Sequence, residues 1–394
     1  MYTSQSLDKR RIERDRLFST CTLMQGKMVS FTTFKKIPIV VELHTGTITI
    51  LDDLENYDSE FCSDYMFSIE DDIFVLELNG KRMMKLNITD RKCSYFDIFC
   101  NSKDWNNYAA FAYFEKSIYI FPTYSAGFVQ MDLGTGRVKK KKKLHSVMKE
   151  KNKNLGEEYT DFWRGCQLEN KVWLFPRYGS QVIVYDMEND TWTEYILAVE
   201  IKECIHVMSY GGYIYILNVE GIIYRWDMIN GEVERIADCS SNNNKTGCSF
   251  SRIAVTDKGI FLLPAFSEDI LYIDLDTKGI KKYDAYPKDY QYYGPQGWSK
   301  FYGYCEDGDQ YYFAMRSANY ILSISKKDGM EKWIKTKLLP YKEYKKVYIH
   351  YNKKKIFETE CNIDDMLSYI QRDSAERQCG KKFLKGREIW ECVK

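Results

Sequence analysis

No apolar run in this sequence approaches the roughly 20 residues that a membrane-spanning helix needs. The N-terminal stretch "MYTSQSLDKRRIERDRLFS" is charged throughout and lacks the apolar segment of a signal peptide. We therefore expect a cytoplasmic protein with no membrane partner. An excess of one charge is missing as well. Lys and Arg number 57 against 56 Asp and Glu, a net charge of +1. Nucleic-acid binding rests on neutralising phosphates, so this balance gives it no support. The 12 cysteines include no CxxC pair. They read as small buried thiols of a reducing compartment, with Cys166 and Cys305 inside strands. The sequons at Asn87, Asn189 and Asn244 then carry no glycan. Proline is scarce, at 7 residues, beside 32 tyrosines and 15% aromatic residues. That balance favours strands and argues against disorder.

What is present is a repeated unit. "KSIYIFPTYSAGFVQMDLGTGRV" from residue 116 and "NKVWLFPRYGSQVIVYDMENDTW" from residue 170 follow one pattern. An apolar burst comes after a polar turn, then a short loop, a second burst, and a turn rich in Gly, Asn and Asp. The bursts recur as "GKMVSF", "DDIFVLEL", "KSIYIFP", "NKVWLFP", "GGYIYIL", "KGIFLLP" and "DQYYFAM". Anchored on Met28, Ile73, Ile118, Val172, Ile214, Ile260 and Tyr311, their spacings are 45, 45, 54, 42, 46 and 51 residues. Periods of roughly 40–50 residues are those of β-propeller blades. Each burst is the second of four strands. The third strands include "GFVQMDL", "QVIVYDM" and "ILYIDL". Turns such as "GTG", "END" and "DTKG" suit hairpins, and fourth strands such as "TWTEYIL" follow.

"GGYIYIL" followed by "YRWDMINGEV", and "VYDMENDTWTEY", resemble Kelch repeats and the related galactose-oxidase-type propellers over roughly residues 18–338. That family places a glycine pair before the second strand and a tyrosine and a tryptophan around the third. Here only one unit has the pair, Gly211 and Gly212, and the tryptophan stands at Trp192 and Trp333. The resemblance implies the fold, and its motif is structural. The expected architecture is all-β: a seven-bladed β-propeller of four-stranded antiparallel blades, with a short C-terminal extension containing a helix. Residues 1–17 form an N-terminal arm and 18–338 the propeller. Residues 339–394 hold strands and an amphipathic helix. In "NIDDMLSYIQ", Asn362 caps that helix, and Ile363, Met366, Leu367 and Ile370 share one face. Residues 145–161 form an insertion that accounts for the 54-residue spacing. The lysines 139–143 before it belong to an outermost strand, where they resist pairing with other chains.

Propellers gather the loops between strands two and three, and between strand four and the next strand one, at one end of the central channel. The first set contributes Tyr124, Arg177, Tyr178, Phe266 and Arg316. The second contributes Trp105, Asn107, Trp163, Arg164 and Trp298. Aromatic faces beside planar hydrogen-bonding groups suit a protein, peptide or glycan partner. Packing between blades is the alternative role for the repeated proline–aromatic pairs, Pro122 and Tyr124, Pro176 and Tyr178, and Pro264 and Phe266.

Known catalytic signatures are missing. Of the 4 histidines, His44 falls in a turn at the opposite end, His145 in the insertion and His350 in the tail. Only His206 starts a central strand, so no copper site is expected. There is no HExxH, no GxSxG and no phosphate-binding glycine loop with lysine. "DLDTKG" at 274–279 has Lys278 where a calcium loop needs an oxygen ligand, and reads as a hairpin turn. We expect no metal and no cofactor. The expected function is a monomeric, non-catalytic binding or scaffolding propeller. The alternative is a carbohydrate-active enzyme of mutarotase or epimerase kind using the same funnel, with Asp161, Glu157 or Glu158 and Arg177 as its groups.

Overall fold

The structure is a computed structural model. It describes residues 18–340 and Lys346, apart from 33–36, 59–60, 62, 78–81, 99–107, 124–127, 142–161, 241–249, 266–268, 284–285, 291–299, 317 and 338–339. The chain divides into two compact units, Met1–Tyr341 and Lys342–Lys394. The expected N-terminal arm, the tail strands and the helix around Met366 lie outside the described residues.

The first unit is a ring of seven four-stranded antiparallel sheets, each built from consecutive strands. Blade 1 comprises β1 (Phe18–Met24), β2 (Lys27–Thr32), β3 (Pro38–Glu42) and β4 (Thr47–Ile50). Blade 2 comprises β5 (Ser63–Ile69), β6 (Asp72–Glu77), β7 (Arg82–Asn87) and β8 (Lys92–Asp97). Blade 3 has β9 (Tyr108–Phe114), β10 (Ser117–Pro122), β11 (Phe128–Asp132) and β12 (Val138–Lys141). Blade 4 has β13 (Phe162–Leu168), β14 (Lys171–Pro176), β15 (Tyr178–Asp186) and β16 (Thr191–Lys202). Blade 5 is built from β17 (Cys204–Tyr210), β18 (Tyr213–Asn218), β19 (Ile222–Asp227) and β20 (Val233–Asp238). Blade 6 is built from β21 (Phe250–Val255), β22 (Gly259–Pro264), β23 (Ile270–Asp274) and β24 (Ile280–Tyr283). Blade 7 is β25 (Phe301–Glu306), β26 (Gln310–Met315), β27 (Tyr320–Ser325) and β28 (Glu331–Lys335).

The seven anchors take one structural position. Met28, Ile73, Ile118, Val172, Ile214, Ile260 and Tyr311 are each the second residue of their blade's second strand. All seven are buried. A second strand lies between two others in its sheet and is covered on both faces by neighbouring blades, so it is apolar without alternation. The burial of β22, complete along "GIFLLP", shows this directly.

The turns explain the rest of the repeat. Asp132, Asp186, Asp227 and Asp274 each end a third strand, and each carboxylate accepts backbone N–H groups of the turn that follows. This local bond is the reason for Asp in "QMDLGTG", "VYDMEND", "RWDMING" and "YIDLDTKG". The last is therefore the expected hairpin, with Lys278 at φ 56°. In the turn between first and second strands, Gly211 and Gly212 both take positive φ. Glu70, Glu115 and Glu169 hold the left-handed position in the matching turns of blades 2, 3 and 4. The glycine pair is thus replaceable at a cost of about 1–2 kcal/mol per residue, which is why the Kelch pattern shows in only one unit. The lysine-bearing strand β12 is outermost in its sheet, as expected.

No strand is exchanged between the first and last blades among the described residues. The ring closes by packing β1 against β25 and β26. Phe18, Cys21, Met28, Cys305, Ala314 and Ile321 share one apolar cluster across this seam. At the rim, Thr47 bridges Lys337 in parallel, and the Lys337 N–H donates to the Gly46 carbonyl at 2.7 Å.

Candidate functional site

The first strands form the inner ring, since β1, β13, β17 and β21 each lie against the first strands of their neighbours. Every one of the seven carries a register shift near its start. The extra residues are Ser19 and Thr20 in blade 1, then Asp64, Ala109, Trp163, Ile205, Ser251 and Tyr302. Pairing resumes at Cys21, Tyr65, Ala110, Arg164, His206, Arg252 and Gly303. A bulge of this kind bends the strand and re-aims its side chains. Here it recurs at one level around the channel.

Blade 4 brings four of the expected residues together at this level. Trp163 is the bulged residue of β13. The Arg177 guanidinium lies 4.6 Å from its ring centroid and 5.4 Å from that of Tyr178. Arg164 lies 5.3 Å from the Trp163 ring. Glu203 closes the group: Arg177 pairs with it at 3.4 Å and the Tyr178 hydroxyl donates to it at 3.3 Å. Tyr178 remains 56% exposed. The result is a platform of two aromatic rings and two guanidinium groups, braced by one carboxylate.

Two placements differ from the sequence expectation. Tyr178 is not in a loop. It opens β15 opposite Lys202, so Arg177 alone separates β14 from β15. Trp163 and Arg164 belong to β13 and not to the connection before it. Tyr178 is drawn into β15 by the length of β16, 12 residues, while Trp163 and Arg164 are held in β13 by its pairing with β14 from Phe162 opposite Pro176 onward.

Glu203 was not singled out in the sequence. It is the single residue between β16 and β17, with φ 43°. The same left-handed backbone serves the tight turns at Glu70, Glu115 and Glu169, and here it lets one residue join two strands. Its only sequence signal is its place in "IKECIH", visible once the two flanking strands are known to abut.

Arg316 is apart from this group. It lies 4.6 Å over the ring of Tyr302. Tyr302 is the bulged residue of β25, and Arg316 follows β26 as Arg177 follows β14. Blades 4 and 7 thus repeat one arginine–aromatic pair. A further arginine, Arg82, opens the third strand of blade 2 and pairs with Glu77 at 2.8 Å and Asp58 at 3.0 Å. Trp105, Asn107, Tyr124, Phe266 and Trp298 lie outside the described residues. Among the described residues, no group of three or more His, Cys, Asp or Glu side chains is placed to hold a metal ion.

No family profile matches the chain, and no curated protein matches it in sequence. Solved structures do match. A streptogramin B lyase is 14% identical, with 78% of this chain and 93% of that chain covered and a TM-score of 0.56. YCF48, solved with the D1 peptide, is 9% identical over 78% of this chain and 91% of its own, with a TM-score of 0.55. Sqt1 from Saccharomyces cerevisiae is 9% identical over 82% and 86%, with a TM-score of 0.52. At these identities the likeness is one of fold. The chain is a seven-bladed β-propeller, the architecture of Kelch-type and galactose-oxidase propellers.

Proposed function

We propose that this propeller is a monomeric, cytoplasmic binding or scaffolding module that recognises a protein, peptide or glycan partner at the loop-lined end of its channel. One observation carries the reading. Tyr178, Arg177 and Trp163 form a contiguous stack whose members are held in place before any partner arrives. Aromatic and arginine anchors of this kind contribute most to interface affinity. Preorganisation lowers the entropy cost of binding. Glu203 is engaged by both Arg177 and Tyr178, an arrangement that fixes a surface in place of freeing an acid for catalysis. The acids of the carbohydrate-active alternative, Glu157, Glu158 and Asp161, lie outside the described residues. YCF48, of the same fold, is solved with a bound peptide, which is in keeping with a peptide or protein partner here.

The test is capture from native lysate by the wild type and by a Trp163→Ala, Arg177→Ala double variant. Each captured species is then purified and its Kd measured. Loss of an anchor residue costs about 2 kcal/mol or more, so the expected Kd rises roughly thirtyfold or more. Equal affinity in two proteins that melt alike overturns the reading.

A further inference from the structure

Arginines of the described residues commonly pair with carboxylates, as Arg82 does with Glu77, Arg91 with Asp53, Arg177 with Glu203, Arg225 with Glu234 and Arg235 with Asp238. Two arginines of the inner ring do not. Arg164 and Arg252 stand at the same register position in blades 4 and 6, and His206 stands at that position in blade 5 between them. Each side chain reaches the first strand of the next blade. The Arg164 Nε–H donates to the Ile205 carbonyl at 2.8 Å. The His206 Nδ1 accepts the Ile253 N–H at 3.3 Å. Arg252 Nη2 faces the Tyr302 carbonyl at 3.5 Å. The remaining bonds of the two arginines go to the carbonyls of Trp163 and Ser251.

A guanidinium carries five N–H donors. Each of these uses two, all on backbone carbonyls, which carry no net charge. The buried Nε–H of Arg252 has no acceptor among the described residues. No described carboxylate pairs with either side chain. Burial, then the charge of Arg164, holds Arg252 below the ordinary arginine range. Burial, then Arg252 and Arg164, holds His206 well below its ordinary value. Its ring is thus neutral, and with Nδ1 accepting, the proton sits on Nε2 as a further donor. The ring of Tyr304 stands edge-on to His206 at 5.8 Å.

Donors and positive charge therefore gather on three adjacent first strands, and no carboxylate among the described residues neutralises them. An uncompensated, partly desolvated cation is unfavourable unless an anion joins it. Guanidinium forks match carboxylate and phosphate oxygens bidentately. We propose that the channel holds an oxyanion, a carboxylate or a phosphate, between Arg164, His206 and Arg252. The site overlaps the partner surface at Arg164. Arg164 touches both, but His206 and Arg252 belong to the channel alone.

The test uses the purified full chain with sodium phosphate and sodium acetate, each against sodium chloride at matched ionic strength. Melting temperature and calorimetric binding are the readouts. Ligand that binds only the folded state raises Tm with the logarithm of its concentration. We expect such a rise with phosphate, acetate or both, and the anion that acts names the chemistry. Arg252→Gln should melt no lower than the wild type in chloride, because it removes an unneutralised charge. It should weaken the Kd for the active anion at least tenfold. Arg164→Gln should weaken it likewise, which keeps the test open if one variant fails to fold. Arg225→Gln, whose guanidinium pairs with Glu234 between β19 and β20, should bind the anion as the wild type does. No anion-specific rise in the wild type overturns the proposal. So does an undiminished rise in both glutamine variants.

Discussion

Among the described residues the seam between blades 1 and 7 is held by side chains and not by a shared strand, so its packing can be tested at one atom. Gly303 sits in β25 where β1 crosses closest. A Cβ added there would lie 2.8 Å from Cys21 Sγ, 2.9 Å from the Ser19 carbonyl oxygen and 3.1 Å from Ala314 Cβ. The carbonyl belongs to the backbone of β1 and cannot rotate away. Overpacking of a core costs about 1–3 kcal/mol. Replacing glycine by alanine returns about 0.4–1 kcal/mol through the unfolded state. The net expectation for Gly303→Ala is a loss of about 1–2 kcal/mol. Gly308 is the control, because a Cβ there meets nothing within 4 Å. Equilibrium urea unfolding of the two variants measures the difference. Adding Cys21→Ala to Gly303→Ala removes the sulfur contact, so the double variant should recover at least about 0.5 kcal/mol of coupling. If Gly303→Ala and Gly308→Ala unfold at the same urea concentration, the seam is not packed as described.

Two further outcomes follow from burial. The Tyr210 hydroxyl donates to Asp257 at 2.7 Å and lies 3.0 Å from the Lys326 carbonyl, bringing blades 5, 6 and 7 together at one point of the ring. Burial, then Asp257, pushes its pKa up to about 12, against about 10 in an unfolded chain. The folded state keeps this proton longer, so the contribution is full below pH 10 and is lost as pH rises through 12. Tyr210→Phe should flatten the fall of Tm over that window, and parallel curves would contradict the assignment. Burial likewise pushes Cys166 and Cys204 up to about 12 and Cys239 up to about 11. Alkylation needs the thiolate. At pH 8 iodoacetamide should leave these three unlabelled in the native protein and label them after unfolding, as read by mass spectrometry. Fast native labelling of Cys204 or Cys239 would refute their burial.

The blade count was legible because one strand in four is covered on both faces. That strand reads as an unbroken apolar burst, and its second residue gave the same position seven times. Turn chemistry was legible for the same local reason: an aspartate bonding its own turn shows in four or five residues. The channel was not. Whether Trp163 or Arg164 faces it depends on a one-residue bulge, which shifts side chains without changing the pattern of residue types. Glu203 joins the site only because β16 extends to Lys202, and pairing length is a tertiary property. Arg252 sits in "SFSRIAV", where nothing nearby distinguishes a channel arginine from a surface one. Its meaning comes from blade 4, whose Arg164 stands 88 positions earlier in the sequence.

The central claim is that recognition lies on the loop-lined end around Trp163, Arg177 and Tyr178. Hydrogen exchange of the protein with and without its captured partner tests this most directly. The account predicts protection concentrated in the start of β13, in residues 176–179 and around Glu203, with the outer strands β4, β20 and β24 unchanged. Protection confined to those outer strands, with residues 162–179 exchanging as in the free protein, would move recognition to the sides of the blades and contradict the claim.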